Sequence, residues 1–237
     1  MPFILRVDID KPYGHHSLFK KVLSKIREDF YFPALDNLGY LRPTIELLNF
    51  CNYYDIPAFW YFRNCTVPNA HVKELICEGS HILGFHAENT RTKDTFVLEL
   101  QTFEKRLGQK VYFFTKHGSG KFKLGRLHYP PYEPEKYKAW ANQLEMDFSF
   151  GNGIAKSFSD LESDGQFYEN MFWLESNYRD KRFNSIDALI DLAKKNVIVL
   201  IVHPANYFTD RNVREDLKKI ILLSKQNSIE WINEIRH

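Results

Sequence analysis

Short apolar runs and amphipathic stretches alternate along the whole chain. Apolar runs of about four to eight residues predict buried strands, and apolar residues that recur every three or four positions predict helices. The predicted strands are 3–10, 56–62, 82–86, 111–114, 146–149, 172–174 and 197–202. The predicted helices are 17–30, one that opens at 39–43 and continues through 50, 70–78, 92–107, 135–144, 185–195 and 212–235. This alternation predicts a parallel sheet covered by helices, and no linker divides it, so we expect one domain, 1–237.

Polar residues follow four of these strands at the point where the apolar run ends. The four segments are Asp8-Ile9-Asp10, His86-Ala87-Glu88, Lys116-His117-Gly118 and His203-Pro204. The carboxyl ends of parallel barrel strands meet at one mouth, where active sites lie. One histidine after a strand is more often a hydrogen-bonded loop residue than a ligand, but four such positions indicate a site.

The first strand places its charged residues on one face. Positions i and i+2 of a strand point the same way, so Arg6, Asp8 and Asp10 share a face opposite Phe3, Leu5, Val7 and Ile9. Three charged side chains cannot lie unpaired in a dry core. The pattern therefore indicates either a structural ion-pair network or a cation site, and at this point both interpretations stay open.

The remaining histidines are expected to have other roles. His81 and His86 lie five positions apart on a strand and so face opposite sides, which makes His81 a structural residue. His15, His16 and His128 lie in polar segments and are expected to be solvated.

Two other motifs fail on inspection. Gly118-Ser119-Gly120-Lys121 is similar to a phosphate-binding loop, but Thr115 stands where the first glycine is needed. Ser119 also lacks the Gly-x-Ser-x-Gly frame of an esterase nucleophile.

Composition narrows the class of protein. The net charge is +2, from 32 basic and 30 acidic residues, which argues against a nucleic-acid-binding protein. Three cysteines without close pairing suit reduced thiols. With neither a leader pattern nor a membrane-length apolar run, the expected location is the cytoplasm. Nothing in the pattern indicates an oligomeric state.

The order of these segments resembles the polysaccharide deacetylases of the NodB-homology group. Asp8-Ile9-Asp10 is similar to the aspartate pair that ends the family's first strand, and Leu200-Ile201-Val202-His203-Pro204 to its final motif. Between them, 54–61, 78–86 and 146–149 are similar to three further family segments. The resemblance covers most of the chain and implies a distorted (β/α) barrel of the glycoside hydrolase/deacetylase type.

The resemblance also implies roles for single residues. Asp8 would be the general base, Asp10 and His86 would be ligands of one divalent metal ion, and His203 would be the general acid. Imidazole and carboxylate ligands suit Zn²⁺, which is the expected cofactor.

The chain departs from the family pattern at two positions. The family's second metal-binding histidine is replaced by Thr90. At the strand end where the family has its Arg-Pro-Pro-Tyr motif, this chain has Thr115-Lys116-His117-Gly118. We hypothesise that His117 supplies the missing metal ligand. Lys116 or Arg6 would then hold Asp8, and both are predicted to contribute to substrate binding.

The expected function is the metal-dependent removal of an N-acetyl or similar N-acyl group from a sugar of surface-polysaccharide or glycan assembly. A nucleotide-linked or lipid-linked sugar fits the expected cytoplasmic location. Two alternatives stay open: a metal-free, catalytically degenerate barrel that binds glycan, and a related C–N hydrolase acting on a non-sugar amide or imide.

Overall fold

The structure is a computed structural model. It describes residues 2–10, 12, 18–30, 39–118, 127–161, 167–175, 179 and 185–234. Within these residues no helix combines the length and the apolarity that are needed to cross a bilayer.

In the described part of the chain, seven parallel strands form a nearly closed barrel surrounded by helices. They are β1 Phe3–Ile9, β2 Ala58–Phe62, β3 Ile82–Ala87, β4 Phe114–Lys116, β5 Phe150–Ile154, β6 Tyr168–Trp173 and β7 Ile198–Val202. Their order is β4-β3-β2-β1-β7-β6-β5. The two outer strands approach each other through an isolated parallel bridge between Phe113 and Asp147. The predicted (β/α) barrel is thereby confirmed.

Within the described residues, eight α-helices connect and cover the strands. They are α1 Leu18–Phe30, α2 Leu41–Tyr53, α3 Ala70–Glu78, α4 Lys93–Leu107, α5 Pro134–Leu144, α6 Ile186–Ala193, α7 Pro204–Thr209 and α8 Arg211–Gln226. Their ends follow from local chemistry. The Thr92 hydroxyl accepts a hydrogen bond from the Thr95 amide at the start of α4, and Gly108 ends the helix with φ at 81°.

The two faces of β1 separate the core from the site. Phe3, Leu5, Val7 and Ile9 belong to the large core beneath the helices. Ile4 belongs to a second apolar cluster with Phe59, Tyr61, Phe150, Tyr168, Met171, Val199 and Ile201. By strand alternation, Arg6 and Asp8 lie on the same face as Ile4. β1 is the middle strand of the sheet, so it delivers Asp10 to the centre of the carboxyl-end mouth.

Several predicted boundaries were wrong. The fourth and fifth strands begin at Phe114 and Phe150; of the two predicted segments only Phe114 belongs to a strand, and Phe113 and Asp147 form the isolated bridge described above. The last helix ends at Gln226 rather than at 235. The chain turns at Ser228, where φ is 53°, and Trp231 then pairs with Phe3. Helix α7 was not predicted.

His81 has a structural role, as predicted. Its Nδ1 accepts a hydrogen bond from the Ala58 amide at 3.0 Å, and its Nε2 lies 2.7 Å from Asn52 Oδ1. The ring must be neutral to accept at Nδ1 and donate at Nε2. Burial lowers the pKa of His81 to about 4.

This lowered pKa makes stability depend on pH. In the unfolded chain the pKa is about 6.5, so between about pH 6.5 and 4 the unfolded state binds more protons. We expect the free energy of unfolding to fall by about 1–3 kcal/mol as pH decreases through this window. Urea unfolding at several pH values would measure the decrease. His81→Gln should remove the share of the decrease that belongs to His81, and the exposed His71→Gln should not; an equal slope in all three proteins would contradict the assignment.

Candidate active site

Asp10 follows β1 directly and lies among three histidines from three other strands. His86 Nε2 lies 3.1 Å from Asp10 Oδ1, and His117 Nε2 lies 3.5 Å from the same oxygen. His203 Nε2 lies 3.3 Å from Asp10 Oδ2. Burial alone would raise the pKa of Asp10, but His117 and His203 outweigh it and hold the pKa well below its usual range. Asp10 is therefore an anionic centre of the mouth.

Asp8 is held by Arg6, two residues earlier on the same strand. Arg6 Nε donates to Asp8 Oδ1 at 2.8 Å, and Nη2 lies 2.6 Å from Oδ2. Arg6 Nη1 donates to the carbonyl oxygen of Gly151 at 2.6 Å. Both side chains are buried, and Asp8 Oδ2 lies 3.5 Å from His86 Nε2. Asp8 thus lies in contact with the histidine cluster while a guanidinium fixes its orientation.

His203 is held between two carboxylates. Its Nδ1 lies 2.9 Å from Glu175 Oε1, while its Nε2 faces Asp10. The His203 amide donates to the same Glu175 oxygen at 2.7 Å, and the Trp173 ring stacks on the imidazole at 5.6 Å. Burial would lower the pKa of His203, but Glu175 and Asp10 outweigh it and raise the pKa well above its ordinary value. The ring is therefore held as a cation.

His86 and His117 differ from His203 in their partners. His86 Nδ1 lies 2.7 Å from Thr115 Oγ1, which leaves Nε2 for the Asp10 side. Within the described residues, neither ring nitrogen of the fully buried His117 makes a hydrogen bond. Burial, with the positive charge of Arg63, lowers the pKa of His117 well below its usual value, so the ring is neutral.

These residues fit a bound cation. The ligand atoms of Asp10, His86 and His117 all lie within 4.8 Å of one another. A buried imidazole without a hydrogen-bond partner is unfavourable, and a neutral imidazole is a good metal ligand. The Thr90 hydroxyl lies 3.2 Å from the Tyr137 hydroxyl. The role of His117 as a substitute ligand stays a prediction.

Lys116 and Arg6 both direct their donors at protein atoms. Lys116 Nζ donates to the carbonyl oxygens of His117 and Gly118, at 2.6 and 3.1 Å, and is buried. Burial lowers the pKa of Lys116 to about 8. Of the two residues proposed to hold Asp8, Arg6 makes the contact. Their role in substrate binding stays a prediction.

His128 was predicted to be solvated, and this was wrong. Its side chain is buried, with its ring 5.4 Å from that of His117 in an edge-to-face arrangement. Burial and the charges of Lys116 and Arg63 lower the pKa of His128 to about 3. The polar residues around His128 suggest a surface loop. The segment instead packs against the end of β3, where the Tyr129 amide donates a hydrogen bond to the Glu88 carbonyl oxygen at 2.9 Å.

Other contributors were missed from the sequence. Glu175 and Glu88 are buried carboxylates, and Arg63 bonds both Glu88 and the Asp10 carbonyl oxygen. The run Tyr129-Pro130-Pro131-Tyr132 also contains the Pro-Pro-Tyr sequence of the family's third motif, which is predicted above at 115–118. Its Tyr132 hydroxyl donates to Glu169 at 3.0 Å. This Pro-Pro-Tyr sequence is the signal from which His128 and Tyr129 could have been predicted to lie near the site.

Some expectations fall outside the described residues. These are His15, His16 and the Ser119-Gly120-Lys121 part of the phosphate-loop-like motif.

Of the three thiols, Cys51 and Cys65 are buried and Cys77 is exposed.

The fold resembles that of solved carbohydrate-modifying enzymes. No protein-family model and no curated protein matches the sequence. A probable polysaccharide deacetylase from Pseudomonas aeruginosa aligns with 97% of this chain and 86% of its own, at a TM-score of 0.53 and 10% identity. A CE4 esterase from Streptococcus mutans aligns with 97% of this chain and 84% of its own, at 0.50 and 13%.

A third solved structure is a CE4-family pseudoenzyme from Bacillus anthracis. It aligns with 97% of this chain at a TM-score of 0.49 and 12% identity, and this chain spans 62% of that protein's length. The fold implied by the resemblance is confirmed: the chain has the (β/α) barrel of the CE4 polysaccharide deacetylases.

Proposed function

We propose that this protein is a metal-dependent amide hydrolase that removes an N-acetyl or similar N-acyl group from a sugar. The observation that carries the proposal is the convergence of Asp10, His86 and His117 beside Asp8 and His203 at the carboxyl-end mouth. The fold shared with polysaccharide deacetylases supports a sugar as the substrate.

The cation would be held by Asp10, His86 and His117. One carboxylate and two imidazoles form a donor set suited to Zn²⁺. When bound, a divalent ion would polarise the acyl carbonyl and acidify a water molecule. Asp10, which is 24% exposed, is the member of the set that is accessible from the mouth.

Asp8 and His203 would move the two protons of the hydrolysis. Asp8 Oδ2 takes one proton from the attacking water, with Arg6 fixing the carboxylate's direction. His203 Nε2 gives a proton to the departing nitrogen as the C–N bond breaks, and Glu175 holds the Nδ1–H on the other side of the ring. The products are a free carboxylate and an amino sugar.

A degenerate barrel that binds glycan without hydrolysing it is the second candidate. The observation in its favour is Thr90, which stands at the family's second histidine position and has a hydroxyl in contact with that of Tyr137. Against it stands the carboxylate–imidazole pair of Glu175 and His203, which glycan binding does not require.

Metal content tests the ligand set directly. We expect one equivalent of Zn²⁺ on the wild-type protein after dialysis against a slight excess, measured by elemental analysis. His117→Ala should be substoichiometric, because Asp10 and His86 alone leave a two-ligand site. The exposed His71→Ala is the matched control and should keep its zinc.

Activity then separates the two candidates. Acetate release from an N-acetylglucosamine oligomer by the zinc-loaded protein supports the hydrolase. A zinc-loaded protein that binds the oligomer without releasing acetate supports the degenerate barrel. A wild-type protein that binds no zinc, with unchanged metal content in His117→Ala, would contradict the proposed ligand set.

A further inference from the structure

His117 lies between two groups of metal-binding side chains. Its Nε2 faces Asp10, while its Nδ1 lies 4.0 Å from Glu88 Oε1. On that second side Glu88, His117 and His128 bring one ligand atom each within 4.8 Å of one another, and all three side chains are buried.

The hydrogen bonding of this second group is incomplete. Within the described residues, both ring nitrogens of His128 and both of His117 are buried without a hydrogen-bond partner. Two neighbouring imidazoles with four unpaired nitrogens are costly to bury unless something binds them. Their edge-to-face arrangement at 5.4 Å does not engage the ring nitrogens with each other.

We propose that Glu88, His117 and His128 form a second cation site that shares His117 with the site at Asp10. One carboxylate and two imidazoles again suit Zn²⁺ or a similar borderline ion. A neutral imidazole has one lone pair, so His117 serves one site at a time. An ion in the second site is held on the far side of His117 from Asp10.

The surrounding charges make the second site the weaker one. Arg63 pairs with Glu88 and so neutralises the only carboxylate of the group. After burial, the charges of Lys116 and Arg63 also lower the pKa of His128, so positive charge already acts on this group. Asp10, by contrast, has its carboxylate among imidazoles. We therefore expect the second site to fill when the first is disabled.

The test uses Asp10→Ala, which disables the first site and leaves the second intact. We expect Asp10→Ala to bind one equivalent of Zn²⁺ in calorimetric titration, with at least tenfold weaker affinity than the wild type. Adding His128→Ala should abolish this binding, whereas adding His71→Ala should not. If the residual ion stays on His86 and His117, the His128 change leaves binding unaltered and the proposal is wrong.

A second measurement does not depend on the folding of the double variant. Crystals of Asp10→Ala soaked in Zn²⁺ should give an anomalous peak between Glu88, His117 and His128. A peak beside His86, or none even at a Zn²⁺ concentration far above the one that fills the wild type, overturns the second site. Neither result bears on zinc binding by the wild-type protein, so the proposed function is tested separately.

Discussion

Asp8→Asn should lower the turnover number for acetate release by roughly 10²–10⁴-fold, the usual contribution of a general base. The asparagine side chain keeps the shape and can still accept from Arg6, but it cannot take a proton from water. Zinc content should stay at the wild-type level, because Asp8 is not among the ligands. Initial rates on an N-acetylglucosamine oligomer and elemental analysis of the same sample would measure both quantities.

A substitution of His203 distinguishes the proposed role of the general acid from that of the general base, Asp8. His203→Gln should show a similar loss on the amide substrate, because an amine leaves poorly without a proton. On an aryl acetate ester the phenolate leaves without protonation, so His203→Gln should recover most of its activity and Asp8→Asn should not. Losses below about tenfold in both variants on the amide would contradict the mechanism.

The barrel could be predicted because its signals are local. β7 is a continuous apolar run, β1 alternates apolar and charged residues from Leu5 to Ile9, and α3 and α4 have clear ends at Gly79 and Gly108. The fourth strand was misplaced because the apolar residues before it outnumber those within it, and the fifth because it has no more apolar residues than the segment before it. Pairing with a neighbouring strand decides which residues extend the sheet, and no local pattern records that pairing.

The mouth residues could be predicted in part for the same reason. Asp8, Asp10, His86, His117 and His203 each follow an apolar run, and the structure brings all five together. Topology alone makes this convergence possible, since parallel strands end at one edge.

The residues that support the candidate site could not be predicted from local sequence patterns. Glu175 is separated from His203 by 28 positions, and Arg63 from Glu88 by 25, yet each pair is in direct contact. His128 lies in a polar segment whose letters resemble those of a solvated loop. Such contacts depend on how loops fold back across the mouth, and a single sequence carries no period or spacing that indicates them.

Arg6→Met should lower the free energy of unfolding by about 3–5 kcal/mol, the usual effect of removing one partner of a buried ion pair. Arg6 is fully buried, and its guanidinium contacts both oxygens of Asp8. Methionine fills a similar volume, so the loss should come from the unpaired carboxylate rather than from a cavity. Urea unfolding of the metal-free protein at pH 7 would measure it.

The double variant Arg6→Met, Asp8→Leu tests whether the unpaired charge of Asp8 causes the loss of stability in Arg6→Met. Replacing both partners of a buried ion pair by apolar groups is often neutral or stabilising, so the double variant should regain most of the stability that Arg6→Met loses. Arg42→Ala is the matched control, because its pair with Glu46 is exposed and should contribute about 0–1 kcal/mol. If the double variant is as unstable as Arg6→Met, the bonds from Arg6 to Gly151 and Asn152 stabilise the barrel instead. Recovery of stability in the double variant, together with loss of acetate release in Arg6→Met, which keeps Asp8, would mean that the ion pair is retained for the orientation of Asp8 and not for folding.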